Sequence, residues 1–167
     1  MNSMHHINDS KKVKIALLTI SDTRNFEDDR SGKTIKSLLE AANHTIIDYK
    51  IEKDELHLIQ EIVTDWTNNA EIQAIILNGG TGFSPRDVTY EAITQLLDKK
   101  MDGFGELFRM LSYEEIGPKA LFSRAVAGSI GSTGIYALPG STNAVKLAIE
   151  KLILPTLPHF VEELVKK

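Results

Sequence analysis

The sequence predicts a single α/β domain with a mostly parallel sheet and helices on both faces. Three observations lead there. Apolar, β-branched runs alternate along the chain with amphipathic stripes of helical spacing. Ten of the eleven glycines lie between Gly79 and Gly140, which puts the specialised backbone in the second half. The 167 residues suit one core, and no internal repeat or low-complexity linker divides them.

Residues 1–12 (MNSMHHINDSKK) are polar and are expected to form a flexible N-terminus, leaving 13–167 as the domain. Val13 to Ile20 (VKIALLTI) reads as a strand buried on both faces. A polar loop follows. Ile35, Leu38, Leu39 and Ala42 then recur at helical spacing, with Ser31 as the expected N-cap. Thr45 to Ile51 reads as a second strand. Leu56, Ile59, Ile62, Val63 and Trp66 form the stripe of the next helix. Ile72 to Leu77 is a third buried strand, which runs straight into Asn78-Gly79-Gly80-Thr81-Gly82. A short helix is expected around Tyr90 to Leu97, and another from about Phe104 to Glu115, with Phe104, Leu107, Phe108 and Leu111 on one side. Arg124 to Ile130 and Ile135 to Leu138 read as strands around a turn at Gly131 to Thr133. A helix follows Pro139-Gly140-Ser141, and Pro155 and Pro158 bound a last helical segment.

Composition narrows the function classes. Apolar residues make up 42% and charged residues 25%, as in ordinary globular proteins. No apolar run approaches the ~18 residues that span a bilayer. With no cysteine there is no disulfide framework, thiolate nucleophile or thiolate metal site, and a cytoplasmic setting is the simple expectation. The net charge of −4 supplies no electrostatic drive toward nucleic acid. An anionic ligand would need local devices, such as backbone amides or a bridging metal.

In a parallel sheet, ligands bind beyond the carboxyl ends of the strands. Ser21-Asp22-Thr23, Lys53-Asp54-Glu55, Gly79 to Gly82 and Pro139-Gly140-Ser141 should meet there. The glycine loop can aim N–H groups at a phosphate, or simply turn the chain. It lacks the Lys-Ser/Thr of a Walker A loop. Asp54 and Asp87 each precede a helix, where a carboxylate suits an N-cap. Two carboxylates beside a phosphate loop also suit Mg²⁺, which takes one or two of them together with phosphate oxygens and water. Ser141 can cap its helix while the same helix end receives a phosphate. Glu106 and Arg109 are an i,i+3 pair, compatible with a solvated helix face or with a ligand role. The five histidines show no metal-ligand spacing, and no Gly-x-Ser-x-Gly elbow is present.

Read together, ILNGGTGFSPRDVTYEAI, DGFGELFRMLSYEEIG, SRAVAG and LPGST resemble the molybdopterin-binding MoaB/MogA family, which includes the G domain of gephyrin. The opening KIALLTISDTR and EDDRSG match as well, so the resemblance covers about residues 12 to 165. FRMLSYEEIG with SRAVAG points to the MoaB branch. The resemblance implies a three-layer α/β/α sandwich and a homo-oligomer, a trimer or a hexamer. It implies binding of molybdopterin and its adenylylation by Mg-ATP, with Asp54 and Asp87 as the catalytic and Mg-binding carboxylates. It places substrate and nucleotide contacts on Ser21, Asp22, Gly79, Gly80, Thr81, Gly82, Pro139, Gly140 and Ser141; Glu106 and Arg109, from their own spacing, are expected as further binding residues. Two other readings are a non-catalytic molybdopterin carrier and a flavodoxin-like module whose glycine loop serves another ligand.

Overall fold

The computed structural model describes residues 11–167. The expected flexible N-terminus therefore lies almost wholly outside the described residues. Of it, Lys11 and Lys12 are exposed, and Lys11 pairs with Glu162 at 2.6 Å.

The strands are β1 (Lys14–Ile20), β2 (Thr45–Glu52), β3 (Ala74–Asn78), β4 (Lys99–Lys100), β5 (Val126–Ile130) and β6 (Thr133–Leu138). The helices are α1 (Arg30–Ala41), α2 (Leu56–Thr67), α3 (Thr89–Thr94), α4 (Asp102–Ile116), α5 (Thr142–Ala148) and α6 (Leu154–Leu164). A 3₁₀ segment (Gly117–Phe122) follows α4, and one π turn (Ile149–Ile153) joins α5 to α6.

One six-stranded sheet runs in the order β2-β1-β3-β6-β5-β4. β2, β1, β3 and β6 are parallel, whereas β5 is antiparallel to both β6 and β4. The alternation of side chains along β1 splits the core between two faces. Ile15 and Leu17 pack with α1, α4, α5 and α6, through residues such as Ile35, Phe108, Val145 and Leu157. Ala16, Leu18 and Ile20 pack with α2 and α3, through Ile59, Val63, Trp66 and Ile93. Both faces of the central strands are thus dry, and the loops at the sheet edge are left to carry polar chemistry.

Three local expectations are corrected. Ser31 does not cap α1: Asp29 does, accepting the Gly32 N–H at 3.1 Å, while Ser31, the second residue of the helix, is buried. Its hydroxyl is taken by the distant Asn78, so local capping loses to a tertiary bond. Pro158 lies inside α6 instead of bounding it; Thr156 Oγ1 donates to the Leu152 carbonyl near the start of that helix. Leu107, expected in the buried stripe of α4, is exposed, because Phe104 and Phe108 alone reach the sheet from that turn.

Candidate functional site

The carboxyl ends of the four parallel strands lead directly into the four loops singled out in the sequence. Seven of the expected residues, Ser21, Asp22, Asp54, Gly79, Gly80, Asp87 and Gly140, line one crevice of about 370 Å³. Gly79 and Gly80 have φ of +105° and +72°, conformations natural only to glycine. A Cβ built on Gly79 would strike the Ile20 carbonyl, and one on Gly80 would fall 3.1 Å from Asp54 Oδ1. Thr89 ties this loop to α3: its hydroxyl donates to the Gly79 carbonyl (2.7 Å) and its N–H to that of Gly80 (2.9 Å). Among the described residues, the N–H groups of Gly80, Thr81 and Gly82 find no protein acceptor. Backbone donors left over at a glycine turn form an anion-binding concavity.

Neither aspartate caps its helix. Glu55 stands at the N-cap of α2 and Val88 at that of α3, both without a side-chain cap bond. Asp87 instead accepts the Ser84 N–H at 2.9 Å, closing the short turn Ser84–Asp87. Asp54 is half-buried, and its own N–H donates to Asp22. Burial, followed by the neighbouring charges of Asp22 and Asp87, pushes the Asp54 carboxyl above its ordinary 3.8. Asp22 moves the other way, chiefly through its hydrogen bonds from Arg86 and from the Asp54 N–H. Arg86 forks onto Asp22 through Nε (3.0 Å) and Nη2 (2.9 Å), and Nη2 also reaches Glu55 (3.0 Å). The crevice therefore holds one acid fixed in its charged form beside another whose charge is opposed. A hard divalent cation would relieve that opposition, and carboxylate oxygens are donors of the right kind for Mg²⁺. No group of three or more His, Asp or Glu converges as a cage among the described residues. A cation held here would complete its shell with phosphate oxygens and water.

The remaining expected residues separate. Thr81 is buried behind the loop and its carbonyl accepts the Arg124 N–H at 2.9 Å. Gly82 presses on Asp87: a Cβ there would lie 2.8 Å from Oδ2. Pro139 is half-buried, and Ser141 caps α5 by accepting the Ala144 N–H at 3.2 Å, as expected. Glu106 and Arg109 do not enter the crevice. They line a second pocket of about 420 Å³, with Phe83, Tyr90, Lys100 and Arg124. Arg109 is half-buried, its Nη1 donating to the carbonyls of Ser123 and Ala125, each at 3.2 Å, while Glu106 is exposed.

Three arginines escaped notice in the sequence. Arg24 and Arg86 line the crevice, within the SDTR and FSPRD segments. Arg124 joins the two pockets. It donates to the carbonyls of Gly82 (3.0 Å) and Asp87 (3.2 Å) and pairs with Glu91. Its guanidinium lies 5.0 Å from the ring centroids of both Phe83 and Tyr90. Each stands in a segment already singled out, Arg24 in SDTR, Arg86 in FSPRD and Arg124 in SRAVAG, but nothing in the sequence assigns the arginine itself a partner.

Comparison with known proteins agrees with this geometry. A family model described as a probable molybdopterin binding domain matches residues 16–159. Molybdenum cofactor biosynthesis protein B of Bacillus subtilis is 51% identical over 155 residues, covering 92% of this chain and 91% of that protein. A crystal structure of a molybdenum cofactor biosynthesis protein B superposes with a TM-score of 0.92 at 47% identity, covering 94% of this chain and 98% of that one. The tungsten cofactor synthesizing protein MoaB of Pyrococcus furiosus superposes at 0.84 with 32% identity, covering 94% and 99%. The α/β sandwich is thus the MoaB/MogA fold, and the chain belongs to the molybdopterin-binding family of molybdenum cofactor biosynthesis proteins.

Proposed function

We propose that the crevice binds molybdopterin together with ATP and transfers an adenylyl group between them. The observation that carries this reading is the meeting of Asp54 and Asp87 beside the glycine loop Gly79–Gly80, at one mouth of the sheet. The terminal phosphate oxygen of molybdopterin attacks the α-phosphorus of ATP. A new P–O bond forms, the bond to the bridging α–β oxygen breaks, and pyrophosphate leaves with that oxygen. The substrate supplies the nucleophile, so no serine, cysteine or histidine attack is required. Catalysis then consists of holding two polyanions in line and opposing their charge.

The chain's own groups divide that work. The backbone N–H groups of Gly80 to Gly82 and the N-terminus of α5 beyond Ser141 receive phosphate oxygens. Asp54 and Asp87 would hold Mg²⁺, which when bound neutralises charge on the phosphates. Arg86 keeps Asp22 ionised and fixes the edge of the crevice. The second pocket, with aromatic walls Phe83 and Tyr90 and polar Lys100, Glu106 and Arg109, has the shape and chemistry for the pterin ring. We further propose a homo-oligomer, a trimer or a dimer of trimers. The family resemblance supports it, as do the exposed apolar side chains of Met110, Tyr113, Ile116, Leu121 and Phe122 on α4 and the 3₁₀ segment.

The test is an assay of purified protein with molybdopterin, ATP and Mg²⁺. Formation of adenylylated molybdopterin and pyrophosphate supports the enzyme. Tight pterin binding with no product supports the non-catalytic carrier, and a protein that binds a flavin but no pterin removes both.

A further inference from the structure

Beneath the crevice lies a ring of hydrogen bonds that the proposed reaction does not use. Arg24 Nη1 donates to Ser31 Oγ (2.6 Å), and Ser31 Oγ donates to Asn78 Oδ1 (2.6 Å). Asn78 Nδ2 donates to Thr19 Oγ1 (3.0 Å), and Thr19 Oγ1 donates to Asp29 Oδ2 (2.6 Å). Arg24 Nη1 also reaches Asp29 Oδ1 at 3.3 Å, which closes the ring. Each hydroxyl gives its one proton in the same sense around the ring, so the bonds are mutually consistent. Thr19, Asp29, Ser31 and Asn78 are fully buried, and Tyr49 adds its hydroxyl to Asp29.

The position of the ring gives it a role. Asn78 is the residue before Gly79-Gly80, and Thr19 lies near the end of β1. Arg24 carries the ring out to the surface: Nη2 donates to the Gly140 carbonyl at 2.9 Å. Gly140 packs against Gly79 so closely that a Cβ on it would lie 3.3 Å from the Gly79 Cα. Two phosphate-facing loops that share no strand pairing beyond β3–β6 are thereby referred to one buried carboxylate.

We infer that Arg24, held by Asp29, is a positioning residue that sets the β6–α5 loop, Pro139-Gly140-Ser141, against the glycine loop for anion binding. The inference about its effect on nucleotide rests on the reading of the crevice as an ATP site; the loop geometry itself does not. The function depends on the fork of the guanidinium, because one arm serves Ser31 and Asp29 and the other serves Gly140. A lysine ammonium carries the charge without the planar fork.

The test compares Arg24→Gln and Arg24→Lys with the wild type by site-resolved amide hydrogen exchange, and by kinetics. Both variants should exchange at least about tenfold faster at Gly79, whose N–H is held by the Leu138 carbonyl, and at Ala144 and Val145, whose N–H groups are held by Ser141, with β1 and β3 protected as before. In the adenylylation assay, the KM for ATP should rise about tenfold with kcat within about threefold, a loss of binding rather than of chemistry. Added guanidinium ion should restore the KM of Arg24→Gln. Loop exchange at the wild-type rate in Arg24→Gln overturns the inference, as does full recovery by lysine. If wild-type protein forms no adenylylated product, the proposed function falls, while faster loop exchange in the variants still upholds the positioning role. Should Arg24→Gln lose its folded circular-dichroism spectrum, Ser31→Ala breaks the same ring at a smaller side chain and is read by the same exchange at Gly79, Ala144 and Val145.

Discussion

The backbone N–H of Asp54 donates to Oδ1 of Asp22 across 3.1 Å, joining two loops whose residues lie 32 positions apart. That bond is one part of the uneven electrostatics of the crevice, in which the Arg86 fork onto Asp22 and the burial of Asp54 are the larger causes. Asp22 gains a donor and, with Arg86 on both oxygens, stays ionised. Asp54 gives its N–H away and is left with its carboxylate facing the charge it helps to stabilise. Groups whose environments push their pKa values apart are the usual mark of a working site.

Asp54→Asn and Asp87→Asn should each lower adenylylation by at least about 10²-fold, the scale of losing one positioned electrostatic group. Asn retains an acceptor for the Ser84 N–H at position 87, so the turn should survive. Pterin affinity without Mg-ATP should change far less. Turnover and pterin binding are measured side by side, and near wild-type turnover in both variants would remove these carboxylates from the mechanism.

The same Asp54→Asn protein should be more stable than the wild type at neutral pH, in buffer free of divalent cation and nucleotide. The folded pKa of Asp54 lies above its ordinary 3.8, so its ionisation opposes folding. That cost is absent below 3.8, grows as pH rises toward the folded value, and is complete above it. Denaturant midpoints of the two proteins should converge at acid pH and separate at pH 7.

His44 carries the opposite pH signature. It is buried and its Nδ1 accepts the Val13 N–H at 3.0 Å, which requires the neutral ring. Burial holds its pKa below 6.5. The unfolded chain therefore takes up the proton first as pH falls. The contribution of His44 is complete above 6.5 and is lost as pH drops through the lowered folded value. Thermal melts from pH 8 to pH 5 should show this loss, and His44→Gln, which keeps an acceptor, should flatten the slope over that window.

Tyr136 sits in β6 between Phe104 and Phe160, 1% exposed, and its hydroxyl has no hydrogen-bond partner among the described residues. Removing a buried, unpaired hydroxyl while keeping the ring should raise stability by about 1 kcal/mol. The check is the urea midpoint of Tyr136→Phe at unchanged m-value. A lower midpoint would mean that the hydroxyl is satisfied in solution.

Light scattering at micromolar concentration should give the mass of a trimer or hexamer. Phe122→Glu, which places a charge on the exposed apolar face that includes Leu121 at 76% exposure, should shift the mass toward the monomer. A monomeric wild-type protein would contradict the proposed assembly.

Much of this molecule was legible in one dimension because its signals are local. A run such as VKIALLTI has few fates other than a strand buried on both sides, and parallel strands put their following loops on one edge. The glycines at 79 and 80, the aspartates at 54 and 87 and the cap at Ser141 follow from that edge. What the sequence did not contain was set by partners distant along the chain. The two-residue strand β4, Lys99–Lys100, has no apolar pattern and exists because β5 offers it an antiparallel ladder. Ser31 looked like a cap, yet Asn78, 47 residues away, takes its hydroxyl. Glu106 and Arg109 stood in the same motif set as the crevice residues but open on a second pocket. Asp29 was one acid among several in a polar loop until folding buried it among Thr19, Tyr49 and Arg24. Composition and periodicity determined which segments fold and which edge is polar. Only the packed structure decided which polar groups there face one another, because each such bond is specified by two residues that the sequence holds apart.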